Sequence, residues 1–296
     1  MLAEFFCSSD REKNEHPEIL LDVALEAGAA ILDIYATPFE VNEKTDGSPV
    51  TAADAAAEAI IMDRLTTLFP DIPVVAEEAA SAGNLPNVGD TYFLVDPLDG
   101  TKEFLNKNGE FTVNIALIAS GVPVFGIVYA PALGDIYWSG RQEKAHPLPT
   151  DLAGAFYARV EEGKLGVPEK ISTRTPNTDY LTVLASRSHL SDETARLIDR
   201  LNVAETVSVG SSLKLCWIAA GKADLYPRLA PTMQWDIAAG HAIVSAAGGA
   251  VVSTVTAEDL SYAIPENAVT SDLLNDQFLA IGDPSKRPNI LQALKM

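Results

Sequence analysis

The chain has 296 residues, 47% of them hydrophobic and 21% charged, enough to bury a substantial core as one large domain or two smaller ones. Its formal net charge of -20 and pI near 4.4 exclude sequence-independent binding to a nucleic-acid polymer, whose phosphates such a surface repels. Cys7 and Cys216 are far apart and lack Cys or His partners, which excludes a disulfide framework or zinc site and fits a reducing cytoplasm.

Glu4 and Asp10 interrupt the N-terminal segment, so no signal peptide is expected, and Phe5-Phe6-Cys7 does not form a lipidation motif. Residues 17–35 carry Ile19, Val23, Ala27, Ile31 and Ile34 on one face, the pattern of an amphipathic helix that opens at Pro17. A short polar strand and loop around Asp46-Gly47-Ser48-Pro49 follow. A second helix starts at Thr51, with Asp54 three residues on. That spacing makes Asp54 the last member of a capping box, and it also places a carboxylate on a first helical turn where it could orient a water.

Residues 73–76 read as a short strand that ends at Glu77-Glu78, and residues 92–95 as a buried strand that ends at Asp96-Pro97-Leu98-Asp99-Gly100-Thr101. Pro97 and Gly100 turn the backbone there, and Thr101 to Leu105 start a helix. Asp96 and Asp99 repel each other unless they share a proton or a cation, and oxygen ligands favour a hard divalent ion such as magnesium. The amides of Gly100, Thr101 and Lys102 at a helix start suit a phosphate. The blander reading keeps Asp99 as an N-cap and Asp96 as a solvated strand end.

Residues 111–119, 122–129 and 137–138 read as antiparallel strands. The apolar stretch 113–133 approaches membrane-span length, but Asn114, Gly121, Pro123, Gly126 and Pro131 break it, so no integral membrane segment is expected. Residues 141–179 are irregular, with boundary candidates near Gly140 and Pro176. From Tyr180 strands and helices alternate: strands 181–185, 206–209 and 223–226, helices 191–201, 212–220 and 237–247, and a final strand near Val251. The expected organisation is an N-terminal α+β domain over 1–140 carrying most of the acidic candidates, and a C-terminal α/β domain over 141–296.

Three separated segments, Glu77-Glu78, Asp96 to Thr101, and Trp235-Asp236-Ile237-Ala238-Ala239-Gly240, together resemble the signature of the lithium-sensitive, magnesium-dependent inositol monophosphatase superfamily. Lys102-Glu103-Phe104, Gly210-Ser211-Ser212-Leu213-Lys214, Tyr226-Pro227-Arg228 and Gly240-His241-Ala242 resemble its bacterial 3'(2'),5'-bisphosphate nucleotidase branch. Ala76 and Ala79 depart from the Gly, Ser or Asp common around the acidic pair.

The resemblance implies a layered αβαβα sandwich. It also implies hydrolysis of the 3'-phosphate of adenosine 3',5'-bisphosphate and of 3'-phosphoadenylyl sulfate, a place in sulfur metabolism. Glu77, Asp96 and the Leu98 carbonyl would hold one Mg2+, and Asp96, Asp99 and Asp236 a second, with a weaker third site near Glu77. Asp54 and Thr101 would orient the attacking water. His189, Ser211, Lys214, Arg228 and Asp236 would contact the nucleotide beside Gly100, Thr101 and Lys102. The competing readings are an inositol monophosphatase or fructose 1,6-bisphosphatase on the same acidic core, and a non-catalytic nucleotide- or metal-binding module. The expected location is cytoplasmic, with peripheral attachment to the inner membrane left open and the oligomeric state unspecified.

Overall fold

The computed structural model describes residues 16–38, 41–43, 49–140, 153–176, 180–185 and 192–295. His189, Cys7 and the Asp46-Gly47-Ser48 turn lie outside the described residues, as do residues 141–152 and 177–179 of the irregular segment.

The first half is built around one sheet. β3 (Val74–Ala76), β4 (Thr91–Asp99), β5 (Thr112–Ala119), β6 (Val122–Ala130) and β7 (Asp135–Ser139) lie side by side, β3 parallel to β4 and the rest antiparallel. Both faces of this sheet are covered, so its strands are apolar on both sides. Phe93, Val95, Ile115, Leu117 and Ile127 face one core, and Tyr92, Leu94, Ala116, Ile118 and Val128 face the other. The first face packs on α1 (His16–Tyr35) and α2 (Ala52–Leu68), preceded by the short hairpin β1 (Val41–Glu43) and β2 (Pro49–Thr51).

The irregular stretch proves to hold three strands, β8 (Ala155–Glu161), β9 (Lys164–Leu165) and β10 (Glu169–Ile171), which extend the first sheet to eight strands among the described residues. Their alternation is masked by exposed Arg159 and Glu161, because an edge region has one face in water.

The second sheet has the order β12 (Val203–Ser208), β11 (Leu181–Ala185), β13 (Leu225–Arg228), β15 (Phe278–Ile281), β14 (Ala250–Ser253). It is mixed: β11 runs parallel to β12 and β13, whereas β15 runs antiparallel to both neighbours. The final strand is therefore β15 rather than the one near Val251. α6 (Leu213–Ala219) and α7 (Gln234–Ala246) fill the space between the sheets, and α5 (Asp192–Arg200) and α8 (Arg287–Lys295) cover the outer face of the second. The layers run helix, sheet, helix, sheet, helix, as expected of a layered αβαβα sandwich.

Contact between α7 and the first sheet is close enough to dictate sequence. A Cβ on Gly126 in β6 would meet the backbone of Ala239, and one on Gly240 would meet Leu215. With α7 packed on β6 and α6 in this way, Asp236 in its first turn meets Asp96 and Asp99 at the end of β4. No described helix is long and apolar enough to cross a membrane.

Candidate active site

The strand expected to stop at Val95 continues to Asp99. Pairing to β5 slips between Asp96, opposite Asn114, and Asp99, opposite Thr112. Pro97 has no N–H to give to the ladder, and Leu98 gives its own to Asp96 Oδ1 at 3.0 Å, so the segment bulges without leaving the sheet. The Leu98 side chain is in the core. Gly100 then takes φ +90, in the left-handed region that favours glycine, and α4 (Thr101–Leu105) follows. α4 has only five residues. Its dipole is weak, and an anion there depends on individual amides of Gly100, Thr101 and Lys102. The Lys102 side chain is exposed.

One carboxylate oxygen each from Asp96, Asp99 and Asp236 lies within 4.8 Å of the others. Glu77, the first residue of α3 (Glu77–Ser81), stands close enough to Asp96 for the two carboxyls to interact. Burial first, then the charges of Glu77, Asp99 and Asp236, raises the Asp96 carboxyl well above its usual range. Asp236 is raised too, by burial and by Asp99 and Glu77, partly offset by the Met233 N–H that it accepts at 3.0 Å and by Arg228. Four acids thus converge where the charged form is costly, and a divalent cation would reverse that cost. The donors are all oxygen, which fits a hard cation of the magnesium class.

Asp99 is held by a closed ring of polar side chains. Its Oδ2 accepts from Ser211 Oγ at 2.5 Å, Ser212 N at 2.7 Å and Ser212 Oγ at 2.9 Å. Ser211 Oγ lies 2.6 Å from Thr112 Oγ1, Thr112 donates to Asn114 Oδ1 at 2.9 Å, and Asn114 Nδ2 donates to Ser212 Oγ at 2.9 Å. Asn114 and Thr112 are fully buried, so each bond replaces one that water would have made. Ser212, Thr112 and Asn114 join the site here without being among the candidates expected from sequence. The signal was present in Asn114, a polar residue inside an otherwise apolar strand.

Asp54 realises the capping box: its Oδ2 accepts from both the N–H and the hydroxyl of Thr51 at 2.8 Å, and Asp54 is 2% exposed. Lys214 is buried, with its ammonium donating to the carbonyls of Ser211 at 2.7 Å and Val209 at 3.2 Å. Those bonds support the loop on which Ser211 takes a left-handed φ of 54. Burial lowers the Lys214 pKa to about 8, with Asp99 opposing the shift and Arg228 adding to it. Arg228 therefore stands close to both Lys214 and Asp236, and its Nη2 donates to the Pro231 carbonyl at 3.1 Å. Glu103 and Glu110 border this corner. Glu110 accepts the Gly210 N–H at 2.8 Å, and burial raises the Glu103 carboxyl.

A profile of the inositol monophosphatase family matches residues 13–281. A 3'(2'),5'-bisphosphate nucleotidase CysQ from Salmonella typhimurium is 45% identical over 236 residues, 79% of this chain and 89% of the relative. The crystal structure of CysQ from Bacteroides thetaiotaomicron, described as a bacterial member of the inositol monophosphatase family, superposes with a TM-score of 0.68 at 39% identity, over 90% of this chain and 96% of that one. An IMPase from Thermotoga maritima, 22% identical over 95% of this chain and 97% of its own, shares the fold with a TM-score of 0.71. The chain belongs to the inositol monophosphatase family and is closely related to its bacterial CysQ nucleotidases.

Proposed function

We propose that this protein is a magnesium-dependent 3'(2'),5'-bisphosphate nucleotidase that releases the 3'-phosphate of adenosine 3',5'-bisphosphate, giving AMP. The sulfated form, 3'-phosphoadenylyl sulfate, is a second substrate. The observation that carries this reading is the meeting of Asp96, Asp99 and Asp236 at one point, with Lys214 and Arg228 beside it. The likeness to CysQ proteins supplies the substrate class.

Glu77, Asp96, the Leu98 carbonyl, Asp99 and Asp236 would hold two ions, with a weaker third near Glu77. Bound there, divalent cations supply the charge neutralisation and Lewis acidity that attack on a phosphate monoester dianion requires. The residues of the chain do the rest. Asp54 and Thr101 orient the attacking water and take up its proton, the carboxylate acting directly or through the hydroxyl. The capping bonds to Thr51 fix the Asp54 side chain for that task. Gly100, Thr101 and Lys102 receive the reacting phosphate through their amides.

Lys214 and Arg228 favour a bisphosphate over a monophosphate. They form a positive corner next to an acidic cluster, and a second phosphate remote from that cluster needs cationic donors. Ser211 and His189 complete the nucleotide contacts in this reading. The Ser211 hydroxyl is committed to Asp99, which leaves its backbone and the loop it shapes as the contact surface.

Phosphate release from equal concentrations of adenosine 3',5'-bisphosphate, inositol 1-phosphate and fructose 1,6-bisphosphate tests the assignment. The adenosine bisphosphate should be turned over fastest. Preference for inositol 1-phosphate would reject the nucleotidase reading, and no turnover of any of the three would point to a binding module.

A further inference from the structure

Helix α3 leaves β3 directly, and its N-cap residue, Ala76, has no side chain able to accept a hydrogen bond. The first N–H groups of a helix have no carbonyl partner inside it and must find one elsewhere. Here they find Glu58. Its Oε2 accepts the N–H of Glu78 at 2.8 Å and its Oε1 the N–H of Ala79 at 2.9 Å.

Glu58 belongs to α2, one turn beyond Asp54, so the two carboxylates share a helix face. The bond to the Glu78 N–H fixes the peptide plane on the C-terminal side of Glu77, and the bond to Ala79 fixes the next. Together they set the backbone direction from which the Glu77 carboxyl reaches Asp96. Charge-assisted bonds of this kind are among the stronger ones, and losing an accepting carboxylate leaves two partly buried N–H groups without it.

We infer that Glu58 is a positioning residue for the reaction: it clamps the first turn of α3 so that Glu77 shares a cation with Asp96. The inference rests on the metal-dependent reading above, and the site gains a link between the helix that carries Asp54 and the turn that carries Glu77. A role confined to helix capping predicts lost stability and nothing more. A positioning role predicts weaker metal binding in a protein that is still folded.

The test measures Mn2+ binding to the wild type, Glu58→Gln and Glu58→Ala by the paramagnetic resonance signal of the free ion, with thermal unfolding in chelator alongside. Glu58→Gln preserves the packing and one acceptor oxygen, so it decides the matter if Glu58→Ala does not fold. The expected result is about a tenfold loss of Mn2+ affinity, the scale on which groups that orient metal ligands act. The Mg2+ concentration for half-maximal phosphate release should shift in parallel, with substrate KM at saturating Mg2+ unchanged. A folded Glu58→Gln protein with wild-type Mn2+ affinity overturns the inference, as does a KM that rises in step with the affinity loss. Absence of Mn2+ binding by the wild type would instead overturn the metal reading of the site, and the inference with it.

Discussion

Ser212 donates twice to one oxygen of Asp99, from its N–H at 2.7 Å and its hydroxyl at 2.9 Å. The same hydroxyl lies 2.5 Å from the Asp236 carbonyl. One small side chain thus registers the end of β4 against the first turn of α7, and with it two of the converging carboxylates.

Ser212→Ala is therefore expected to weaken both metal binding and folding. Loss of the hydroxyl leaves Asn114 Nδ2 without its acceptor and should cost about 1–3 kcal/mol of stability. The Mg2+ requirement should rise about tenfold as Asp99 loses its orientation. Thermal unfolding in chelator and Mg2+ titration of phosphate release measure the two effects, and an unchanged Mg2+ requirement would remove the ring from the mechanism.

Asp96→Asn is expected to abolish turnover while stabilising the metal-free protein. Asp96 is buried against Glu77, Asp99 and Asp236, and deleting one of four mutually repelling acids relieves that repulsion when no cation is present. In chelator the variant should melt above the wild type, and added Mg2+ should raise its melting temperature less. Near-normal activity would place Asp96 outside the chemistry.

Lys214→Ala separates substrates. The ammonium lies next to Arg228 and supports the Val209 and Ser211 carbonyls. KM for adenosine 3',5'-bisphosphate should rise about tenfold or more, as expected when a charged donor is lost, with a smaller effect on a small monophosphate. Equal losses on both would show that Lys214 acts only by shaping the loop.

His241 gives the fold a pH dependence. Its ring is buried, its Nδ1 lies 3.1 Å from the Tyr262 hydroxyl, and burial lowers its pKa from 6.5 to about 3. Between those values the unfolded chain binds a proton that the folded protein refuses. Its contribution is therefore fully present above pH 6.5 and is lost as pH falls toward 3. At about 1.4 kcal/mol per pH unit, the protein should lose about 2 kcal/mol from this residue between pH 6.5 and 5. Urea denaturation at the two pH values should show a smaller loss in His241→Asn, and an equal loss would mean that His241 is protonated in the fold.

Much of this architecture is local in the sequence. The apolar faces of α1 and α2, the apolar runs of β4 to β7 between turn residues and the Thr51-to-Asp54 capping box all follow from composition and spacing within one element. Glu77, Asp96 and Asp99 are legible in the same way, because each stands at the end of a recognisable strand, whereas Asp236 is implied only by the family resemblance. The ring around Asp99 is not legible in this way. Thr112 and Asn114 meet Ser211 and Ser212 only after the α6–α7 layer closes on the first sheet, so no local spacing records the pairing. Glu58 reads as one more polar residue on a helix face until α3 is seen to lack a cap of its own. β15 is four apolar residues, too short for periodicity to separate a central strand from a buried loop.

The central claim is that the acidic cluster directs hydrolysis to one phosphate of a nucleotide bisphosphate. Phosphorus NMR of adenosine 3',5'-bisphosphate turnover tests it most directly, with Mg2+ and then with chelator. The account predicts that the 3'-phosphate resonance gives way to inorganic phosphate while the 5'-phosphate remains, and that chelator stops the change. Release of the 5'-phosphate, or undiminished turnover in chelator, would contradict it.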